Sequence, residues 1–204
     1  MSSSSSPFVS SAVVAALVRA AVAACPLPAG VSRWAFSGSR GAGPWSRVSA
    51  GVALRVRSGG AAAVSVGCAG GCDLAVRAVL GSWSGLAVFR AAGPSAGALA
   101  ARSSACVRSV LPAAGGCLLA FPSGPCPAAV RAGRSFRGCG SGSWGSVGLA
   151  LGLGLPVVVF VPPGLPVVGF AGPLSGRFSV AASGPWGAWL VAGGLPSQLE
   201  LFGG

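Results

Sequence analysis

Glycine and proline fill 51 of the 204 positions, 35 and 16 respectively, and they are spread along the whole chain. Nothing else in the sequence limits regular structure so strongly. An interior glycine costs a helix roughly 1 kcal/mol relative to alanine, and an interior proline about 3. An aperiodic sequence with a quarter of its residues of these two types reads as low-complexity. Only two long windows are free of both, Phe8 to Cys25 and Ala98 to Leu111. The expectation from sequence is therefore no unique globular fold. It is a mostly irregular chain with an N-terminal helix over about 9–25 and weak short β-strands over about 48–68. The alternatives are a small all-β or a membrane-associated protein.

Six residue types are missing altogether: Lys, His, Tyr, Ile, Thr and Asn. Physical chemistry does not group them, but the genetic code does, because every codon for each carries adenine at its first or second position. Apart from Met1, Asp73, Gln198 and Glu200, every residue can be written without adenine at either place. Base usage on the coding strand accounts for this composition. A strand poor in adenine is also poor in stop codons, so a long open frame arises on it readily. The sequence identifies no molecular function. Its leading reading is an uncharacterised product of an unselected, antisense or recently arisen open reading frame. The alternative is a small basic membrane-associated or exported protein, and a third is a non-specific Arg-rich binder of anionic polymers.

Within the first window, Ala, Leu and Val favour a helix, with Ser10 or Ser11 as N-cap and Pro26 as stop. Val22, Ala23, Ala24 and Cys25 are similar to the lipobox before the lipidated cysteine of bacterial lipoproteins. No positive residue precedes Arg19, however, and Arg19 interrupts the apolar run. From Val48 to Cys68 apolar residues alternate with small or charged ones, and Gly59 and Gly60 separate two series, the pattern of a β-hairpin. Leu74–Leu80 and Leu86–Phe89 read as further short strands around a turn at 81–85. Ala98–Leu111 reads as a short helix.

The segment 138–176 is uncharged, Gly/Pro-rich and apolar. Its longest helix would run over 147–161 and contain Pro156, too short to span a bilayer, which takes about 20 residues. An aggregation-prone apolar coil is expected there, with 147–170 as the region that would enter a membrane in the alternative reading. No linker stands out and no domain boundary can be drawn. The segments 8–25, 48–68 and 138–176 are the only definable units. Localisation stays open, leaning to membrane association if the chain is expressed.

Fourteen arginines against Asp73 and Glu200 give a net charge of +12. The densest groups are Arg55 with Arg57 and the series Arg131, Arg134, Arg137, where Gly133 and Gly138 oppose a helix that would align them. Scattered cations imply non-specific attraction to anionic lipid or nucleic acid, self-association, and no specific partner. The seven cysteines are irregularly spaced. The closest pair, Cys68 and Cys72, has three residues between, not two, and with no second pair and no histidine no metal site is expected.

Two short motifs occur. Gly140–Gly145, GSGSWG, has the GxGxxG pattern, and Gly93–Gly97, GPSAG, has the GxSxG pattern of a nucleophile elbow. At this glycine content chance supplies about one match to each. The first should follow a strand and open a helix, yet Gly, Leu and Pro follow it. The second needs a histidine. A Walker A loop is excluded by the lack of lysine. Asp73 and Glu200 could act together only if distant segments met. The expectation is no enzyme, no catalytic, cofactor-binding or metal residue, and no cofactor.

Overall fold

The short runs of valine, leucine and phenylalanine become the strands of one seven-stranded sheet. The computed structural model describes residues 10–41, 43–111 and 115–193. In chain order the elements are α1 (Ser11–Ala23), β1 (Arg33–Gly38), α2 (Pro44–Ser58), β2 (Ala63–Gly67), α3 (Cys72–Leu80), β3 (Leu86–Phe89), α4 (Ala96–Arg108), β4 (Gly116–Phe121), α5 (Gly142–Gly152), β5 (Val157–Val161), a 3-10 turn (Gly172–Arg177), β6 (Ser179–Gly184) and β7 (Gly187–Ala192). The strand order is β3-β2-β1-β4-β5-β7-β6. The first five strands are parallel, while β7 runs antiparallel between β5 and β6.

Every residue of β4 and β5, GCLLAF and VVVFV, is buried. A parallel strand covered on both faces wants such an unbroken apolar run. Alternate residues feed two cores. Leu118, Ala120, Val157 and Val159 pack with Val107 of α4 and Val147 of α5. Leu119, Phe121, Val158 and Phe160 pack with Ala21 of α1, Val52 of α2 and Val76 of α3. The second core holds an aromatic cluster in which Phe121 stacks on Phe36 at 6.0 Å and meets the edge of Trp189 at 5.9 Å. The buried Trp189 Nε1 donates to the Ala21 carbonyl at 2.9 Å, fastening α1 to β7. Arg55 Nη1 donates to the carbonyls of Val22, Ala23 and Cys25, which satisfies the open C-terminus of α1.

The expectation of an irregular, disordered, low-complexity chain is therefore overturned. The protein has a defined α/β fold, not a small all-β one, and no described helix is long and apolar enough to cross a membrane. Glycine placement is the physical reason. Many glycines sit between elements in left-handed backbone, Gly30, Gly60, Gly71, Gly81 and Gly115 among them, where they permit turns that other residues resist. The segment 138–176 is no coil. It holds α5, β5 and the 3-10 turn, with Pro156 just before β5 and Pro162 and Pro163 just after it.

The hairpin expected over 48–68 is also corrected. Residues 44–58 form α2, and only 63–67 form a strand, which pairs in parallel. Val48, Val52 and Val56 are four apart, so they satisfy period two and the helical period alike. Burial of Val48, Ser49, Val52, Ala53 and Val56 shows that the helix won. Leu74–Leu80 likewise lies in α3, not in a strand. The helix expected over 9–25 is found over Ser11–Ala23 with Ser10 as its cap, the strand at Leu86–Phe89 is β3, and α4 covers most of the second window.

Candidate ligand-binding crevice

Parallel strands end with their carboxyl termini on one edge, and the strand order reverses between β1 and β4. After β1 the chain passes to α2 on one face, whereas after β4 it leads to α5 on the other. Loops leaving such a pair diverge and open a crevice, the usual ligand position in open α/β sheets. Here the crevice is about 880 Å³, within the usual range for small-molecule sites. It is bounded by the turn after β1 (Ser37–Gly41), the end of β2, the loop after β4 (Pro122–Pro125), and the loop and first turn of α5 (Gly138–Ser143). Leu99, Val107 and Phe136 supply apolar wall.

Hydrogen bonds fix these loops to one another. Ser37 Oγ donates to Ser146 Oγ at 3.0 Å, joining the end of β1 to α5. Trp144 Nε1 donates to the Gly124 carbonyl at 2.9 Å, joining α5 to the loop after β4. Ser141 caps α5, its Oγ accepting from the Trp144 amide at 3.3 Å. The amides of Gly142 and Ser143 have no partner among the described residues, and both residues line the crevice. Before the cap, Cys139 has φ 43° and Gly140 φ 88°. Cys139 is the one non-glycine residue in left-handed backbone among the described residues. The residues of this turn and of the helix start line the crevice, which places the positive end of the α5 dipole at its wall.

The opposite wall carries charge. Asp73, in the first turn of α3, lies beside Arg102 of α4, with Oδ2 accepting from Nη1 at 3.0 Å and from the Ala69 amide at 3.1 Å. The two side chains are 7% and 9% exposed, so both line the crevice yet are nearly removed from water. Arg102 Nε is buried without a hydrogen-bond partner. An orphaned guanidinium donor at this depth is costly unless something else accepts from it. Burial pushes the Asp73 carboxyl above its ordinary value, against the pull of Arg102, the Ala69 amide and Arg77. Arg77 itself donates to the carbonyls of Gly67 and Ala69 and holds that loop in place. A Cβ on Gly67 would run into both Asp73 Oδ2 and Arg102 Nη1, so the close approach of β2 to the ion pair requires glycine.

The motifs of the sequence fall into place unevenly. The GxGxxG segment, Gly140–Gly145, does open a helix, contrary to expectation, although β4, the strand before it, ends as far back as Phe121. In GPSAG, Ser95 is the N-cap of α4, its Oγ accepting from the Ala98 amide at 3.2 Å. Asp73 meets Arg102, while Glu200 lies outside the described residues. Cys72 starts α3 with its thiol buried and pushed up to about 11. Cys68, in the preceding loop, has its thiol held below the ordinary value, chiefly by the Ala91 N–H, with Arg102 assisting. Of the arginine series, Arg131 donates to the carbonyls of Ala128 and Val130, and no helix aligns Arg131 with Arg134 and Arg137. Arg57 lies 5.9 Å from the centre of the Trp83 ring.

No family model, curated protein or solved structure matches the chain. The crevice must therefore be read from its own chemistry. Sequence reasoning did not assign Asp73 and Arg102, which are 29 residues apart. The available signal was Asp73 itself, one of two acids in a chain of net charge +12.

Proposed function

We propose that the protein binds a small phosphorylated ligand of nucleotide size in the crevice between β1 and β4. One observation carries this reading: the free amides at the start of α5, beside the left-handed turn at Cys139 and Gly140, line the switch-point crevice. Such a helix start suits a phosphate through N–H donation and dipole. Exposed Arg40 stands on the rim as a further cation, and Phe136 and Leu99 offer apolar surface to a base or similar ring. The reading is of a binding protein, not an enzyme, because Asp73, the one carboxyl that lines the crevice among the described residues, is tied to Arg102.

This proposal displaces the unselected reading frame as the account we favour. Glycine at nearly every left-handed position, and a buried ion pair built from one of two acids, support a sequence shaped by its fold. It also narrows the anionic-polymer reading to one compact anion, since Arg55, Arg77 and Arg102 are engaged in internal hydrogen bonds.

Calorimetric titration with adenosine 5′-monophosphate, inorganic phosphate and a single-stranded oligonucleotide tests the proposal. Saturable binding of the nucleotide is expected, and it should weaken at least tenfold in Gly142→Asp. A Cβ at position 142 meets no atom within 4 Å, and an acid in the first turn suits the helix dipole, so that variant keeps the fold while repelling phosphate. No nucleotide binding at millimolar concentration, or unchanged binding in Gly142→Asp, would refute it. Binding of the oligonucleotide alone, falling steeply with salt, would return the polymer reading.

A further inference from the structure

We infer that the carboxyl edge of the sheet docks on an anionic lipid bilayer, with the loop after β5 and the turn between β6 and β7 entering its headgroup layer. This docking goes beyond the phosphate reading and needs no ligand in the crevice. It starts from apolar side chains that the fold holds out in water. The loop after β5, PPGLPVVG over 162–169, has no polar side chain, and Pro163, Pro166 and Val168 are exposed. Val168, at 92%, is the most exposed large apolar side chain among the described residues. Pro185, at the turn between β6 and β7, is exposed too, and the loop and the turn line one groove of about 400 Å³. The loop is anchored where it ends: the carbonyl of buried Phe170 accepts from the Cys126 amide at 2.8 Å, and Leu165 and Val167 pack on the first core. Val168 therefore stands on a braced turn.

Charge selects the partner. β1, β3 and β5 are parallel, so the loops that leave them share one edge. On that edge Arg40 follows β1 and Arg90 follows β3, both exposed, and exposed Arg137 lies between the crevice-lining Phe136 and Gly138. Asp73, the one acid among the described residues, is buried in its pair with Arg102. The edge thus offers cations and apolar tips to a partner and no exposed carboxylate among the described residues. β3 and β5 stand four places apart in the strand order, and neighbouring strands are about 5 Å apart, so these groups are spread widely. Mobile anionic headgroups move to meet each cation, whereas a folded partner would need fixed charges in matching positions. An apolar tip set among basic residues is the combination that holds a protein at such a surface. Trp186, half-buried at the turn, has an amphipathic ring suited to the same layer. A second copy would bring its own charge of +12 against this one.

The test is flotation of the full chain with vesicles of phosphatidylcholine alone and of phosphatidylcholine with a quarter phosphatidylserine. Partition onto the anionic vesicles should be at least tenfold stronger and should fall as salt rises. Two variants that add the same charge separate this edge from the general attraction of a +12 chain. Val168→Asp should lower partition at least tenfold, whereas Leu54→Asp, in the second half of α2 and away from this edge, should lower it less than twofold. The two side chains are 92% and 42% exposed, so both variants keep the fold. Arg90→Gln combined with Arg137→Gln should weaken binding to the anionic vesicles and leave the neutral ones as before. No preference for anionic vesicles, or equal losses in Val168→Asp and Leu54→Asp, would overturn the docking surface. A dimer that forms without lipid and is abolished by Val168→Asp would overturn it too, by assigning the tips to a second copy.

Discussion

Two glycine-to-alanine substitutions, identical in chemistry and both inside helices, should move stability in opposite directions. Gly97 is in α4 and a Cβ there meets nothing within 4 Å, so Gly97→Ala gains helix propensity and loses unfolded-state entropy, about 0.5–1 kcal/mol of stabilisation. Gly148 is in α5, where a Cβ would lie 2.6 Å from the Arg131 carbonyl oxygen. That atom is backbone and cannot rotate away, and the adjoining strap is held by the Gly133 amide donating to the Gly148 carbonyl at 3.1 Å. Overpacking of this kind costs about 1–3 kcal/mol and exceeds the propensity gain in most of that range. The propensity gain is common to both, so the two variants should differ by the overpacking cost, roughly 1–3 kcal/mol, or several degrees in Tm for a chain of this size. Urea unfolding followed by circular dichroism and tryptophan fluorescence measures it. An irregular chain would respond to both substitutions alike, so equal stabilisation by the two would refute the packing of α5 and with it one wall of the crevice.

Trp189→Phe removes the buried indole donor to the Ala21 carbonyl and should cost about 1–3 kcal/mol in urea unfolding. Iodoacetamide should label exposed Cys139 and half-buried Cys68 first, with Cys68 reacting at lower pH than a free thiol, while Cys72 and Cys106, pushed up by burial to about 11 and about 12, react only on unfolding; peptide mapping reads the order. Asp73, whose carboxyl is raised by burial, contributes stability that is present below its unfolded value of about 3.9 and lost as pH rises through its folded value. Asp73→Asn should therefore gain stability relative to the unaltered protein between pH 3 and pH 7, and a relative loss over that interval in denaturant titrations would contradict the direction.

The local windows were legible in the sequence because local physics suffices for them. The first Gly/Pro-free window, capped by Ser10, gave α1, and the apolar tetrad Leu86–Phe89 gave β3. The absence of Lys, His, Tyr, Ile, Thr and Asn is likewise a property of the string alone. Tertiary structure decided the rest. Val48, Val52 and Val56 fit a strand or a helix equally, and only their burial against β1 and β4 selected the helix. The run VVVFV is apolar without period, and whether it became a coil, a membrane segment or a central strand depended on parallel neighbours to cover both faces. The crevice was least visible of all, because Asp73, Arg102, Ser37 and Ser146 come from four elements and meet only where the strand order reverses. Chain separation hides such contacts from any local pattern, and a sheet supplies them by bringing distant strand ends to one edge.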